Sequence, residues 1–217
     1  MFSFNNDLRQ IERRRVFNVD RLCRLVVQSV KRSPDDIIAV KKPAEGGCNR
    51  TFLITMYDSF QMVARVPYTV TIPKYLTIAS EVATLALLRS SGLPVPEAYG
   101  YLPVPDNAAE TEYHFMEFVK GISLSNIWFE LGERDIISLL HQLTELESKI
   151  MSITFPAGGS LYCTEDLEMV ASPGTPLEDK RFFVRPDTRI ALWYGRRSQL
   201  DIDRGPRRLL PFFLSLP

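Results

Sequence analysis

A chain of 217 residues suits one large domain or two small lobes, and its 45% hydrophobic content is enough for a packed core. Twenty-six basic residues balance 26 acidic ones, so no net field draws the chain to nucleic acid or to an anionic membrane surface. No apolar run approaches the roughly 18 to 20 residues that a spanning helix needs.

Three cysteines, Cys23, Cys48 and Cys163, are odd in number and far apart. They read as reduced thiols, not as a disulfide framework. The amino terminus shows no secretory apolar segment. It is basic, with Arg9, Arg13, Arg14, Arg15, Arg21, Arg24, Lys31 and Arg32, but Asp7, Glu12 and Asp20 interrupt the run. An import presequence is poor in acids, so these charges read as a solvated helix face. The expected location is cytoplasmic, with the mitochondrion as the alternative.

Asn18 or Asp20 caps a first helix that runs to about Lys31, with Leu22, Leu25, Val26 and Val30 on its buried face. Ser33-Pro34-Asp35 stops it. Three short strands follow, over Ile37 to Lys41, Arg50 to Tyr57 and Phe60 to Val66. Asp58-Ser59 forms a two-residue hairpin turn between the last two. Glu45-Gly46-Gly47-Cys48-Asn49 sits at the tip of the hairpin between the first two.

Pro73 to Arg89 reads as a helix with one apolar stripe of Val82, Leu85, Ala86 and Leu88, ended by Gly92-Leu93-Pro94. Two further strands, Glu97 to Leu102 and Thr111 to Val119, flank the polar loop Pro103 to Glu110. The order β-β-β-α-β-β predicts a five-stranded antiparallel sheet with one packed helix. Beyond Gly121 the pattern is helical: a short stretch over Leu124 to Leu131, then Glu133 to Met151 with Ile136, Ile137, Leu140, Leu143 and Ile150 on one side. From Phe155 on periodicity is lost, and Gly158-Gly159, Pro173-Gly174 and Pro186 mark loops.

The residues that carry chemistry come in a fixed order. Gly46 and Gly47 can take positive φ and bring backbone N–H groups close to a ligand, a geometry suited to phosphate oxygens. Cys48 follows, and Asn49 adds a polar side chain at the loop exit. No Gly-Lys-Ser/Thr follows the glycines, so this is not a Walker loop. Arg65, in Val63-Ala64-Arg65-Val66-Pro67, is a strand cation beside the glycine hairpin and can reach over phosphates. Glu81, flanked by Ala79, Val82 and Ala83, is an acid on the inward side of the next helix. Unpaired burial of a charge is costly, so Arg65 and Glu81 are expected to pair. The strand His114-Phe115-Met116-Glu117-Phe118-Val119-Lys120-Gly121 runs into a glycine between two lobes. It suits a hinge on which adenine stacks, with Met116 at the back and the backbone of Glu117 and Val119 pairing with the base. Each signal is weak alone; the order carries the specificity.

With these motifs, and with Gly92-Leu93-Pro94-Val95-Pro96-Glu97, the chain resembles the aminoglycoside phosphotransferase and choline kinase group of kinase-like enzymes. Tyr194-Gly195-Arg196-Arg197 and Leu200-Asp201-Ile202-Asp203-Arg204-Gly205-Pro206 are similar to the eukaryotic branch that includes the altered-inheritance-of-mitochondria proteins. The likeness runs over roughly residues 16 to 206. It implies an α+β, protein-kinase-like fold: a helical extension (1–35), a nucleotide-binding lobe (36–121), a partial and mostly helical second lobe (122–206) and an atypical tail (207–217). It also implies ATP with Mg²⁺, and transfer of the γ-phosphate to a small-molecule hydroxyl.

A phosphotransferase of this kind needs a His-x-Asp catalytic loop with a metal-binding Asn beyond it, and a second metal-binding Asp. His114 is followed at the second position by Met116, and His141 by Leu143. No catalytic or metal-binding residue is therefore assigned, and Asp201 with Asp203 lacks the companions a metal pair would need. The expectation is a chain truncated before the catalytic loop that binds nucleotide but is inactive. The alternatives are a non-catalytic pseudokinase module with a protein partner on its exposed helical face, and a gene fragment.

Overall fold

The computed structural model describes residues 13–43, 47–169 and 174–208. Five strands, β1 (Ile37–Lys41), β2 (Asn49–Met56), β3 (Gln61–Pro67), β4 (Ala98–Leu102) and β5 (Tyr113–Glu117), form one antiparallel sheet in the order β1-β2-β3-β5-β4. Their period-2 alternation sorts side chains onto two faces. One face carries Ile54, Met56, Met62, Ala64, Val66, Tyr113 and Phe115, all buried. Helix α1 (Val19–Ser29) covers it with Leu22, Val26 and Val27.

Of the two expected caps, Asn18 serves: its Oδ1 accepts the Arg21 N–H at 3.0 Å. Gly100 lets the helix approach, because a Cβ there would lie 3.3 Å from the Ser29 Cβ. The Asp58-Ser59 turn closes as expected, with Ser59 at φ 65° and the Phe60 N–H donated to Asp58 Oδ1 at 3.0 Å.

Residues 14–18 form no regular element and lie against the sheet. The Asn18 N–H is donated to the Ala109 carbonyl at 3.0 Å, and Phe17 meets Phe52 edge-on. Arg15 donates to the Pro67 carbonyl at 2.9 Å and to the Glu112 carboxylate. Its side chain is 11% exposed and that of Glu112 is 6%. The solvated helix face expected for Arg15 is not observed, because the chain is not helical there.

Helix α2 (Lys74–Ser90) departs from its expected single stripe: Ile78, Ala79, Ser80, Val82, Ala83 and Leu87 are all buried. The reason is a second sheet on its other side. Strands β7 (Ser160–Cys163), β8 (Thr175–Pro176) and β9 (Phe182–Arg185) pair in the order β7-β9-β8. Ala83 and Leu87 share a core with Leu161, Leu177, Phe182 and Val184. A helix covered on two sides loses its amphipathic contrast.

This sheet corrects the expectation of loops after Phe155 within a mostly helical lobe. Its strands are two to four residues long, too short to show a period. A further ladder joins β6 (Ala157–Gly158) to β10 (Arg207–Arg208). Between the sheets in sequence lie α3 (Leu124–Ile127), which continues into a 3₁₀ turn over Trp128–Glu130, and α4 (Glu133–Met151). α4 has the expected bounds, yet none of its residues is buried among the described ones, and Leu140 and Leu143 are half exposed.

Candidate functional site

The second face of the five-stranded sheet bears two parallel rows of side chains, set by strand register. One row runs Leu53, Val63, Met116 and Ala98. The next runs Thr51, Arg65, His114 and Tyr101. The first row is apolar and the second is polar.

Arg65 and Glu81 meet as expected. Arg65 Nη1 lies 2.5 Å from Glu81 Oε1, joining β3 to α2. The two side chains are 36% and 31% exposed, so the pair opens to solvent on one side. Burial pushes the Glu81 carboxyl above its usual range, and Arg65 opposes that shift. The bond uses Nη1 of Arg65 and leaves much of its planar head group for an anion.

His114 backs the pair from β5. It is 1% exposed, its Nε2 lies 3.9 Å from Glu81 Oε1, and that nitrogen has no hydrogen-bond partner. Desolvation first, and the Arg65 charge second, push the imidazole down to about 3, so it is neutral at physiological pH. At the far end of the row the Tyr101 hydroxyl lies 3.1 and 3.0 Å from the two oxygens of Asp166, which is buried. Burial raises the carboxyl of Asp166, and burial beside Asp166 raises the phenol of Tyr101.

The hairpin tip is described from Gly47 on; Glu45 and Gly46 lie outside the described residues. Gly47 is exposed, and a Cβ there would meet nothing within 4 Å. Cys48 is exposed, and its carbonyl accepts from Thr71 Oγ1 at 2.7 Å and from the Tyr68 N–H at 3.0 Å. Asn49 pairs with Pro67 across the hairpin. Arg65 therefore lies two register steps from the hairpin mouth, about 7 Å along the strand.

At the expected hinge, Met116 is buried between Val63 and Ala98. The Glu117 N–H is already donated to the Glu97 carbonyl at 2.8 Å, so pairing with a base at Glu117 falls to its carbonyl. Val119 is 60% exposed. Three expected residues, Asn49, Arg65 and Met116, thus share the second face, with Glu81 reaching it from α2, while Glu117 pairs with Met62 and follows the parity of the first face.

Sequence reasoning did not place His114 or Tyr101 in the site. The signal was available for His114, which stands two residues from Met116 and so shares its face. Asp166 follows β7 in a segment without periodicity and had no signal. Among the described residues no group of three or more His, Cys, Asp or Glu could hold a metal ion. No described helix is long and apolar enough to cross a membrane.

A subtelomeric hrmA-associated cluster protein of Aspergillus fumigatus (strain ATCC MYA-4609) is 39% identical over 173 residues, which cover 79% of this chain and 33% of that protein. The mitochondrial altered inheritance of mitochondria protein 9 of Clavispora lusitaniae is 27% identical over 164 residues, covering 71% and 27%. Its namesake in Lodderomyces elongisporus is 29% identical over 195 residues, covering 79% and 31%. This chain is similar to fungal altered-inheritance-of-mitochondria 9 proteins. It spans about a third of the length of the curated relatives it matches. No family model and no solved structure matches it. The relatives' names speak for the mitochondrial alternative, and none speaks for the cytoplasm.

Proposed function

We propose that this chain is the nucleotide-binding part of a kinase-like phosphotransferase, with ATP as ligand and a mitochondrial setting. The observation that supports it most is the Arg65–Glu81 ion pair, which ties β3 to α2 two register steps from the glycine hairpin. In this reading the apolar row of Leu53, Val63 and Met116 receives the base, and the Glu117 carbonyl orients it. Arg65, which Glu81 holds in the free chain, binds phosphate oxygens as a planar, permanently charged fork.

The chain's own residues provide binding and orientation. Its sequence holds no His-x-Asp, so this reading assigns none of its residues to accept the proton of an acceptor hydroxyl, and phosphoryl transfer to a small-molecule hydroxyl is the ancestral role in this reading. Titration calorimetry of the full chain with ATP and Mg²⁺ tests it. Binding should be weak, and Arg65→Ala should weaken it by about tenfold or more, since charge-assisted hydrogen bonds contribute about 1.5 to 3 kcal/mol. Soluble, folded chain that binds no nucleotide would refute the reading. The exposed apolar residues of α4, Leu140 and Leu143 among them, favour as a second reading a non-catalytic module that docks a protein partner.

A further inference from the structure

We infer that His114 is a positioning residue that takes over the bond to Glu81 when Arg65 turns to an anionic ligand; this deepens the nucleotide reading and rests on it for the ligand's identity. The argument starts from an anomaly. His114 is almost completely buried, and a buried polar atom normally has a partner, yet its Nε2 has none. That nitrogen faces Glu81 at 3.9 Å, about 1 Å beyond hydrogen-bond range.

Glu81 can bond one of two donors on adjacent strands. Arg65 on β3 and His114 on β5 are direct cross-strand neighbours, and the Glu81 carboxylate reaches toward both. In the free chain Arg65 holds it. Phosphate oxygens that take the whole Arg65 fork, Nη1 included, draw its guanidinium from the carboxylate, and Glu81 would then be a half-buried anion without a donor, an expensive state. A shift of about 1 Å brings Glu81 within reach of Nε2. Binding also cancels the positive charge that opposes protonation of the imidazole, so His114 gains a proton and becomes a charged donor. The proton comes from solvent, and no covalent bond forms or breaks. Helix α2 stays tied to the sheet while the cation is lent to the ligand.

The charged and titratable groups that face His114 are Arg65 from β3, Glu81 from α2 and Tyr101 from β4. Tyr101 is engaged with Asp166 and stays neutral. Arg65 and Glu81 are therefore the two groups that decide the proton on His114.

The chain has two histidines, and His141 lies on exposed α4, so imidazole NMR of a His141→Gln background reads His114 alone. In the full chain its midpoint should lie near 3. Arg65→Met should raise it by about 2 pH units or more, since an adjacent carboxylate without a rival cation stabilises the imidazolium. Adding Glu81→Gln to that variant should cancel most of the rise. A rise that persists in the double variant would mean that only repulsion by Arg65 was relieved, and would overturn the exchange. Arg65→Gln serves the same comparison should Arg65→Met not fold.

Saturating ATP on the background chain should raise the midpoint as well. ATP that binds without moving His114 overturns the exchange and leaves the nucleotide reading standing. If ATP does not bind, the nucleotide reading fails, and the Arg65 variants alone decide whether His114 can replace Arg65.

Discussion

Arg15→Ala tests how the segment before α1 is held. The substitution removes a hydrogen bond to the Pro67 carbonyl and the partner of Glu112. Both side chains are nearly inaccessible, at 11% and 6% exposed. Removing one member of such a pair leaves an uncompensated buried charge and costs about 3 to 5 kcal/mol. Lys74 lies 3.8 Å from the other Glu112 oxygen and offsets part of that, so the lower end, about 3 kcal/mol, is expected. That is a large share of the roughly 5 to 15 kcal/mol that stabilises a domain of this size. Urea unfolding followed by tryptophan fluorescence measures it, as a lower midpoint at unchanged slope. Glu112→Gln in the Arg15→Ala background should recover part of the loss, because the orphaned charge is gone. A loss below about 1 kcal/mol, or a double variant as unstable as the two single losses added together, would refute the reasoning.

Two further outcomes follow from close packing and from burial. Gly159→Ala should destabilise the chain by about 2 kcal/mol or more, because its Cβ would lie 2.3 Å from the Arg185 carbonyl oxygen and 2.8 Å from Val184 Cγ1; an unchanged urea midpoint would show that β7 and β9 can separate there. Acid should weaken the fold through His114: its imidazole is held from 6.5 down to about 3, so the unfolded chain binds the extra proton between those values and stability falls as pH drops through that window. The full span corresponds to at most about 5 kcal/mol at 1.36 kcal/mol per unit. Glu81 and Asp166, whose carboxyls are raised by burial, act with the opposite sign. The decisive quantity is therefore the difference between the chain and His114→Gln, which should flatten the decline between pH 6 and 4; parallel curves would show that His114 does not titrate in this window.

Residues 19 to 117 were legible in the sequence because each element there carries a long enough local signal. Asn18 followed by Leu22 and Val26 marks a capped, one-sided helix, and Met62, Ala64 and Val66 alternate cleanly. The Arg65–Glu81 pair was legible for a related reason: an acid among small apolar residues demands a nearby cation. The polar row was half legible, since the parity that puts His114 beside Arg65 is local, but its partnership with Glu81 is not.

What the tertiary structure alone decided are the contacts between elements too short or too irregular to announce themselves. The second sheet is built from β7, β8 and β9, which have no period to read, and it buries the side of α2 that a single stripe would have left exposed. The same packing brings Asp166 to Tyr101 across 65 positions of sequence and draws Arg15 out of solvent to Glu112. Local pattern determines which residues turn inward; which buried charges find each other depends on the chain's long-range path.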